Sequence, residues 1–181
     1  MEFVADCADL KLVKDHIESF PDFPSQGILF RDIFSVYRDQ AASTALHCLL
    51  KCYALSLKDK IDVVYAIESR GFLFGPYIGQ VLDIPFVPIR KKGKLPGVVE
   101  RLEYGLEYGT DCIEVQKDGG KAGKKALIVD DLIATGGSLA ASCQLLTTLG
   151  VDVVECFAVM ELKDLNGRQK VPSKVVSLLE F

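Results

Sequence analysis

The run Ala126-Leu-Ile-Val-Asp-Asp-Leu-Ile-Ala-Thr-Gly-Gly-Ser138 concentrates the chemistry of this chain. A short apolar stretch, suited to a buried strand, leads into the adjacent carboxylates Asp130 and Asp131. A small loop follows through Ala134, Thr135, Gly136 and Gly137, and Ser138 stands where a hydroxyl would cap the next helix. Main-chain N–H groups at such a loop and helix start favour an anion, most often phosphate. Paired acids repel phosphate but accept hydrogen bonds from hydroxyls, such as the two neighbouring ones of a ribose. Together the loop and the acids describe a site for ribose 5-phosphate. The segment lacks the Gly-Lys-Ser/Thr ending of a P-loop and the three spaced glycines of a dinucleotide fingerprint, which excludes both. The plain alternative is a strand-to-helix turn that happens to carry two aspartates.

Other segments offer cations and an acid. Glu68-Ser-Arg-Gly71 reads as a tight turn after a strand, with Arg70 able to grip phosphoryl oxygens in bidentate fashion; a surface turn with an arginine ion pair is the alternative. Arg90, Lys91, Lys92 and Lys94 cluster in a chain whose net charge is −4. Such a run is commonly a solvated face, but its place directly after a strand points to an anion site. The stretch Leu102-Glu-Tyr-Gly-Leu-Glu-Tyr-Gly109 repeats four residues and so presents two glutamates, Glu103 and Glu107, which by themselves read as solvated loop carboxylates. Within Gly27-Ile-Leu-Phe-Arg31, Phe30 can stack on a flat base, worth ~1–3 kcal/mol in base-binding sites, or serve as a core residue.

The elements that must position these groups follow from periodicity. Val63–Ile67, Pro85–Ile89, Ala126–Val129 and Val153–Val159 are short apolar runs rich in β-branched residues, with a last strand at Val175–Leu179. Helices are predicted over Ala41–Leu57, Phe72–Leu82 and Ser138–Leu149, and a first one near Asp9–Ser19. Pro21 and Pro24 exclude a regular helix in the segment after it. The alternation predicts an α/β domain, a mostly parallel sheet flanked by helices, in which ligands bind beyond the carboxyl ends of the strands. The turns at residues 68–71, 90–97 and 130–137 all begin at such ends.

At 181 residues with 49 % apolar content, the chain suits a single domain over residues 1–181. No apolar stretch approaches the ~20 residues of a membrane span, and the start lacks a signal-peptide pattern, so a cytoplasmic protein with no membrane partner is expected. The net acidity disfavours nucleic acid. Cys7, Cys48, Cys52, Cys112, Cys143 and Cys156 form no Cys-x-x-Cys pair and are expected as buried or partly buried free thiols, with no protein metal site.

The Ala126–Ser138 segment resembles the phosphoribosyl-diphosphate motif of the type I phosphoribosyltransferases. The segments Phe20–Asp32, Ile67–Gly75, Ile89–Gly97 and Leu102–Gly109 are similar to those of the family's adenine-specific branch. The resemblance implies the type I phosphoribosyltransferase fold, with an N-terminal helix and base-binding hood over residues 1–37 and a basic loop and mobile lid over 90–116. It implies transfer of the 5-phosphoribosyl group from 5-phosphoribosyl 1-diphosphate to adenine, giving AMP and diphosphate. In that reading Asp130 and Asp131 hold the ribose hydroxyls, and Ala134, Thr135, Gly136, Gly137 and Ser138 the 5-phosphate. Glu68, Ser69, Arg70, Arg90, Lys91 and Lys94 serve the diphosphate, with Glu68 standing where many members carry Asp. Main-chain groups of Leu29 and Arg31 read the adenine edge, Phe30 stacks on its face, and Tyr108 packs over the site. Alignment on the second copy of the lid repeat makes Glu107 the acid/base, with Glu103 as the other register. Mg²⁺ is expected mainly through substrate diphosphate. A homodimer is expected, part of the basic loop reaching the neighbouring subunit's site. The rival functions are a phosphoribosyltransferase for another purine and a catalytically inactive nucleotide sensor on the same fold.

Overall fold

The computed structural model describes residues 6–105, 110–117 and 122–181, and the chain divides into two compact units between Ser56 and Leu57. In the first unit, helix α1 (Cys7–Asp15) starts at Asp6, whose carboxylate accepts the Ala8 N–H at 2.8 Å. It ends earlier than the apolar pattern suggested. The chain instead forms a two-stranded antiparallel sheet, β1 (Glu18–Pro21) with β2 (Leu29–Asp32), which pairs Phe20 with Phe30. Two helices follow, the short α2 (Phe34–Tyr37) and the long α3 (Gln40–Ser56).

Ser35 ties this unit together. Its hydroxyl accepts the Glu18 N–H at 3.0 Å and shares its proton between the carbonyls of His16 and Asp32, each 2.6 Å away. The turn between β1 and β2 closes through Gly27, at φ 86°, whose N–H reaches the Asp22 carboxylate at 2.8 Å.

The second unit holds a seven-stranded sheet. Its elements run β3 (Val63–Ile67), α4 (Gly75–Leu82), β4 (Phe86–Lys91), β5 (Val99–Gly105), β6 (Thr110–Gln116), β7 (Lys125–Ile133), α5 (Gly137–Thr148), β8 (Asp152–Glu161) and β9 (Lys174–Glu180). The spatial order is β5-β6-β4-β3-β7-β8-β9. Strands β4, β3, β7, β8 and β9 are parallel, and the β5–β6 hairpin pairs antiparallel at one edge.

Every residue of β3 is buried, as a central parallel strand requires. Alternation divides its neighbours between two faces. Val63, Tyr65 and Ile67 join Ala126 and Ile128 in the core under Leu139, Leu145 and Leu146 of α5. Ala66 faces the other way: a β-carbon on Gly75 of α4 would fall 2.6 Å from the Ala66 methyl. Helices therefore cover both faces, and only glycine at position 75 lets α4 approach so closely.

Chain direction fixes where a ligand can sit. From β3 the chain moves outward to β4, whereas from β7 it moves the opposite way to β8 and β9. The gap beyond the carboxyl ends of β3 and β7 is therefore the topological switch point.

Several predicted boundaries shift. Strand β7 runs through Ile133, so Asp130 and Asp131 lie within the strand rather than in the loop after it. The helix predicted over Phe72–Leu82 splits into a 3-10 turn, Arg70–Leu73, and α4. The N-cap of α5 is Gly136 at φ 79°, not Ser138, which lies inside the helix. Among the described residues, no helix is long and apolar enough to cross a membrane.

Candidate active site

A cavity of about 440 Å³ opens at the switch point. It is lined by Ile67, Glu68, Ser69 and Arg70 from the end of β3, Lys91 from β4, Asp130, Asp131 and Leu132 from β7, and Ser138 from α5. Residues 67 to 138 converge because parallel strands place all their outgoing turns at one edge. Two smaller cavities adjoin, sharing lining residues with the first. One, of about 110 Å³, adds Arg90, Tyr104 and Asp111; the other, of about 100 Å³, follows the loop from Ala134 to Leu139.

Asp130 and Asp131 are consecutive near the end of β7, and both line the main cavity. Asp130 follows Ala126 and Ile128 toward α5 and lines the loop cavity beside Thr135 and Gly136. Asp131, only 3 % exposed, takes the Arg70 Nε–H on its carboxylate at 2.5 Å. The Asp130 carboxylate accepts the Asp131 main-chain N–H at 2.8 Å. Burial, and then the neighbouring Asp131 charge, pushes the Asp130 carboxyl well above the usual carboxylate range. The two acids thus differ: one is neutralised by a guanidinium, the other holds its proton more firmly.

The turn after β3 is set by backbone proximity. A β-carbon on Gly71 would lie 2.7 Å from the Val129 carbonyl oxygen, so only glycine lets Arg70 sit against β7. The peptide joining Glu68 and Ser69 is cis.

The basic loop is held by carboxylates. Arg90 clasps Glu68 with Nε and Nη2, both at 3.0 Å, and its Nη1 donates to the Lys94 carbonyl at 3.1 Å. That clasp, followed by the opposing effect of burial and the help of the Lys91 N–H, holds the Glu68 carboxyl below its ordinary value. Arg90 and Glu68 therefore join two of the loops, and Lys91 is the cation of this loop that lines the main cavity. Lys94 is exposed, with its main chain pinned by Glu114, whose Oε1 accepts the N–H groups of Lys94 and Leu95, each at 2.9 Å.

Sequence reasoning overlooked Glu114, Tyr104 and Asp111. Tyr104 belongs to the first Leu-Glu-Tyr-Gly copy, which forms the end of β5 rather than a loop. Strand alternation turns Leu102 and Tyr104 onto the core and Glu103 outward. The Tyr104 hydroxyl donates to Asp111 at 3.4 Å and also bonds the Ser138 side chain, while Lys91 Nζ lies 3.3 Å from Asp111. Period-two alternation from Val99 was the signal that would have found it. Glu103 is exposed and lies 3.8 Å from Lys92 Nζ. Glu107 and Tyr108 lie outside the described residues.

In the first unit, Leu29 and Phe30 fall on β2 with Arg31, whose guanidinium reaches the Ser19 hydroxyl. Phe30 is partly exposed and meets Phe23 edge-on at 5.1 Å. Phe20, Phe23, Ile28 and Leu29 each leave about half their surface exposed, so this hairpin carries an apolar face.

The cysteines divide. Cys143 and Cys156 are buried with sulfurs 3.5 Å apart, but Cys7, Cys48 and Cys52 are exposed, contrary to expectation. For Cys48 and Cys52 the reason is the face of α3 they occupy, opposite the buried Leu46, Leu49, Leu50 and Tyr53.

Comparison with known proteins places this geometry. The phosphoribosyl transferase domain matches residues 36–180. The adenine phosphoribosyltransferase of Cricetulus griseus is 47 % identical over 176 residues, covering 96 % of this chain and 98 % of its own. The crystal structure of adenine phosphoribosyltransferase from Thermoanaerobacter pseudethanolicus is 42 % identical and superposes with a TM-score of 0.88, covering 95 % of this chain and 99 % of that one. The Saccharomyces cerevisiae enzyme, complexed with D-2,5-dideoxy-2,5-imino-altritol 1,6-bisphosphate and adenine, is 40 % identical with a TM-score of 0.88, covering 96 % and 100 %. With the likeness running through both units at this identity, the chain belongs to the adenine phosphoribosyltransferases of the type I phosphoribosyltransferase family.

Proposed function

We propose that the chain is a purine salvage transferase that moves the 5-phosphoribosyl group from 5-phosphoribosyl 1-diphosphate to adenine, releasing AMP and diphosphate. The observation that carries this reading is the switch-point cavity, which gathers Ser69, Arg70, the Asp130–Asp131 pair and Ser138 around one space. The saccharide-like bisphosphate and adenine held by the yeast relative are the two halves of the ligand such a cavity suits.

In the reaction the bond from ribose C1 to diphosphate breaks, positive charge builds on the sugar ring, and a nitrogen of adenine forms the new bond to C1. The loop Ala134–Ser138 holds the 5-phosphate through N–H groups at the start of α5. Asp130 and Asp131 accept hydrogen bonds from the ribose hydroxyls. Ser69, Arg70 and Lys91 receive the departing diphosphate, with Arg90, Glu68 and Lys94 shaping the loops that present them. These charges are fixed before the reaction, so no rearrangement is needed as the leaving group gains charge. On the hood, Phe30 stacks on adenine while main-chain groups of Leu29 and Arg31 select a 6-amino over a 6-oxo purine. Glu107 takes the proton that adenine loses, under the cover of Tyr108.

The cavity's polar lining offers carboxylate and hydroxyl oxygens with no thiol or imidazole, which fits a hard cation. Mg²⁺, held chiefly by diphosphate oxygens and water, would neutralise the leaving group's charge. The reading includes a homodimer, to be checked by light scattering of the purified chain, and a cytoplasmic location, to be checked by imaging.

The deciding experiment supplies purified chain with 5-phosphoribosyl 1-diphosphate, Mg²⁺ and competing adenine, hypoxanthine and guanine. AMP is expected as the dominant nucleotide. A 6-oxopurine nucleotide instead would reassign the base, and ribose-phosphate binding without any nucleotide product would make the chain a sensor.

A further inference from the structure

The phosphate loop is pressed from behind by a second glycine turn. A β-carbon on Gly136 would lie 2.1 Å from the Gly167 carbonyl oxygen. One on Gly167 would lie 2.1 Å from the Ala134 carbonyl oxygen and 2.8 Å from the Gly136 nitrogen. Main chain therefore packs on main chain, with no side chain between. Gly136 needs glycine for its φ of 79° as well, but Gly167 does not take a left-handed φ, so contact alone accounts for glycine there.

The turn bearing Gly167 is itself anchored. Arg168 grips Glu161 through both Nε, at 2.7 Å, and Nη2, and the Ser177 hydroxyl donates to the same carboxylate at 2.7 Å. Glu161 is 2 % exposed, and Arg168, followed by the opposing effect of burial, holds its carboxyl below the ordinary value. Glu161 is paired in register with Ile133, the last residue of β7 before the loop, and the Leu162 N–H donates to the Ile133 carbonyl at 2.9 Å. The brace and the loop thus spring from neighbouring strand ends.

We infer that Gly167, locked by Arg168 on Glu161, is a positioning residue that holds the Ala134–Ser138 amides in the geometry that grips the 5-phosphate. The inference rests on the reading of that loop as the phosphate site. A loop held before the ligand arrives loses little freedom on binding, so the brace acts on affinity for the phosphorylated sugar and not on the base.

The test is calorimetric titration with ribose 5-phosphate, together with steady-state kinetics, on Gly167→Ala. The added methyl must displace either the turn or the loop, because all three of its close contacts, on Ala134, Thr135 and Gly136, are main-chain atoms. Expected are a loss of ribose 5-phosphate affinity and a rise in KM for 5-phosphoribosyl 1-diphosphate of about tenfold or more, with KM for adenine within about twofold. Arg168→Gln should shift the same two quantities more mildly, and Arg168→Lys should restore most of that loss; these variants also serve if Gly167→Ala fails to fold. Wild-type ribose 5-phosphate affinity in soluble Gly167→Ala would overturn the inference, as would equal weakening toward adenine. Absence of ribose 5-phosphate binding by the unaltered chain would instead overturn the reading of the loop itself.

Discussion

Replacing Glu114 by glutamine tests whether a buried carboxylate sets the shape of the basic loop. Glu114 sits on β6 with no exposed surface, opposite Arg101 of β5 and Arg90 of β4. Its Oε2 accepts the Arg101 Nε–H at 2.8 Å and its Oε1 the Lys94 and Leu95 N–H groups. Burial alone would raise its carboxyl, but Arg101 and the N–H groups of Leu95, Gly93 and Lys94 prevail and hold it at about 2, against an ordinary 4.5. A displacement of that size is worth at most about 3 kcal/mol. Arg101 is half exposed, so solvent screening reduces the gain to about 1–2 kcal/mol.

Glu114→Gln keeps the shape and an acceptor for the loop but loses the charge. Urea unfolding at pH 7 should show the variant less stable by about 1–2 kcal/mol, and thermal unfolding should shift down by roughly 2–8 °C. The pH dependence gives the sharper check. A carboxyl depressed in the folded state contributes fully above pH 4.5, and that contribution drains away as pH falls toward 2. The gap between the two proteins should therefore close across that window. A gap that persists unchanged down to the acid limit, or is missing at pH 7, would refute the reasoning.

Glu107→Gln should lower turnover far more than Glu103→Gln, since Glu103 points outward beside Lys92; steady-state kinetics with binding measurements would separate turnover from affinity, and equal effects would reject the assignment. Phe30→Ala should weaken adenine binding by about tenfold or more, from the ~1–3 kcal/mol of a stacked base, while leaving ribose 5-phosphate binding nearly unchanged. Calorimetry with each ligand would decide, and an unaltered adenine affinity would confine Phe30 to its contact with Phe23.

Local patterns made much of this protein legible. Apolar runs of strand length, helical spacing and the Gly-Gly-Ser turn are consequences of backbone sterics and side-chain period, which neighbouring residues determine among themselves. They located β3, β7, α3 and α5 to within a few residues and put the loops at strand ends. What they left open was partnership. Arg70 and Asp131 lie 61 residues apart, and Arg90 and Glu68 lie 22 apart. The order of strands in the sheet decides which of the available charges meet, and no local spacing encodes that order. Asp130 and Asp131 read as twins in sequence. Their difference lies in partners and burial, Arg70 donating to Asp131, on a strand that extends past them because β8 continues the pairing as far as Glu161. Asn166-Gly167 reads locally as a turn, but nothing in its neighbourhood signals the contact with the phosphate loop. Its role exists only because two distant turns touch, and steric exclusion between main chains is a property of the folded molecule alone.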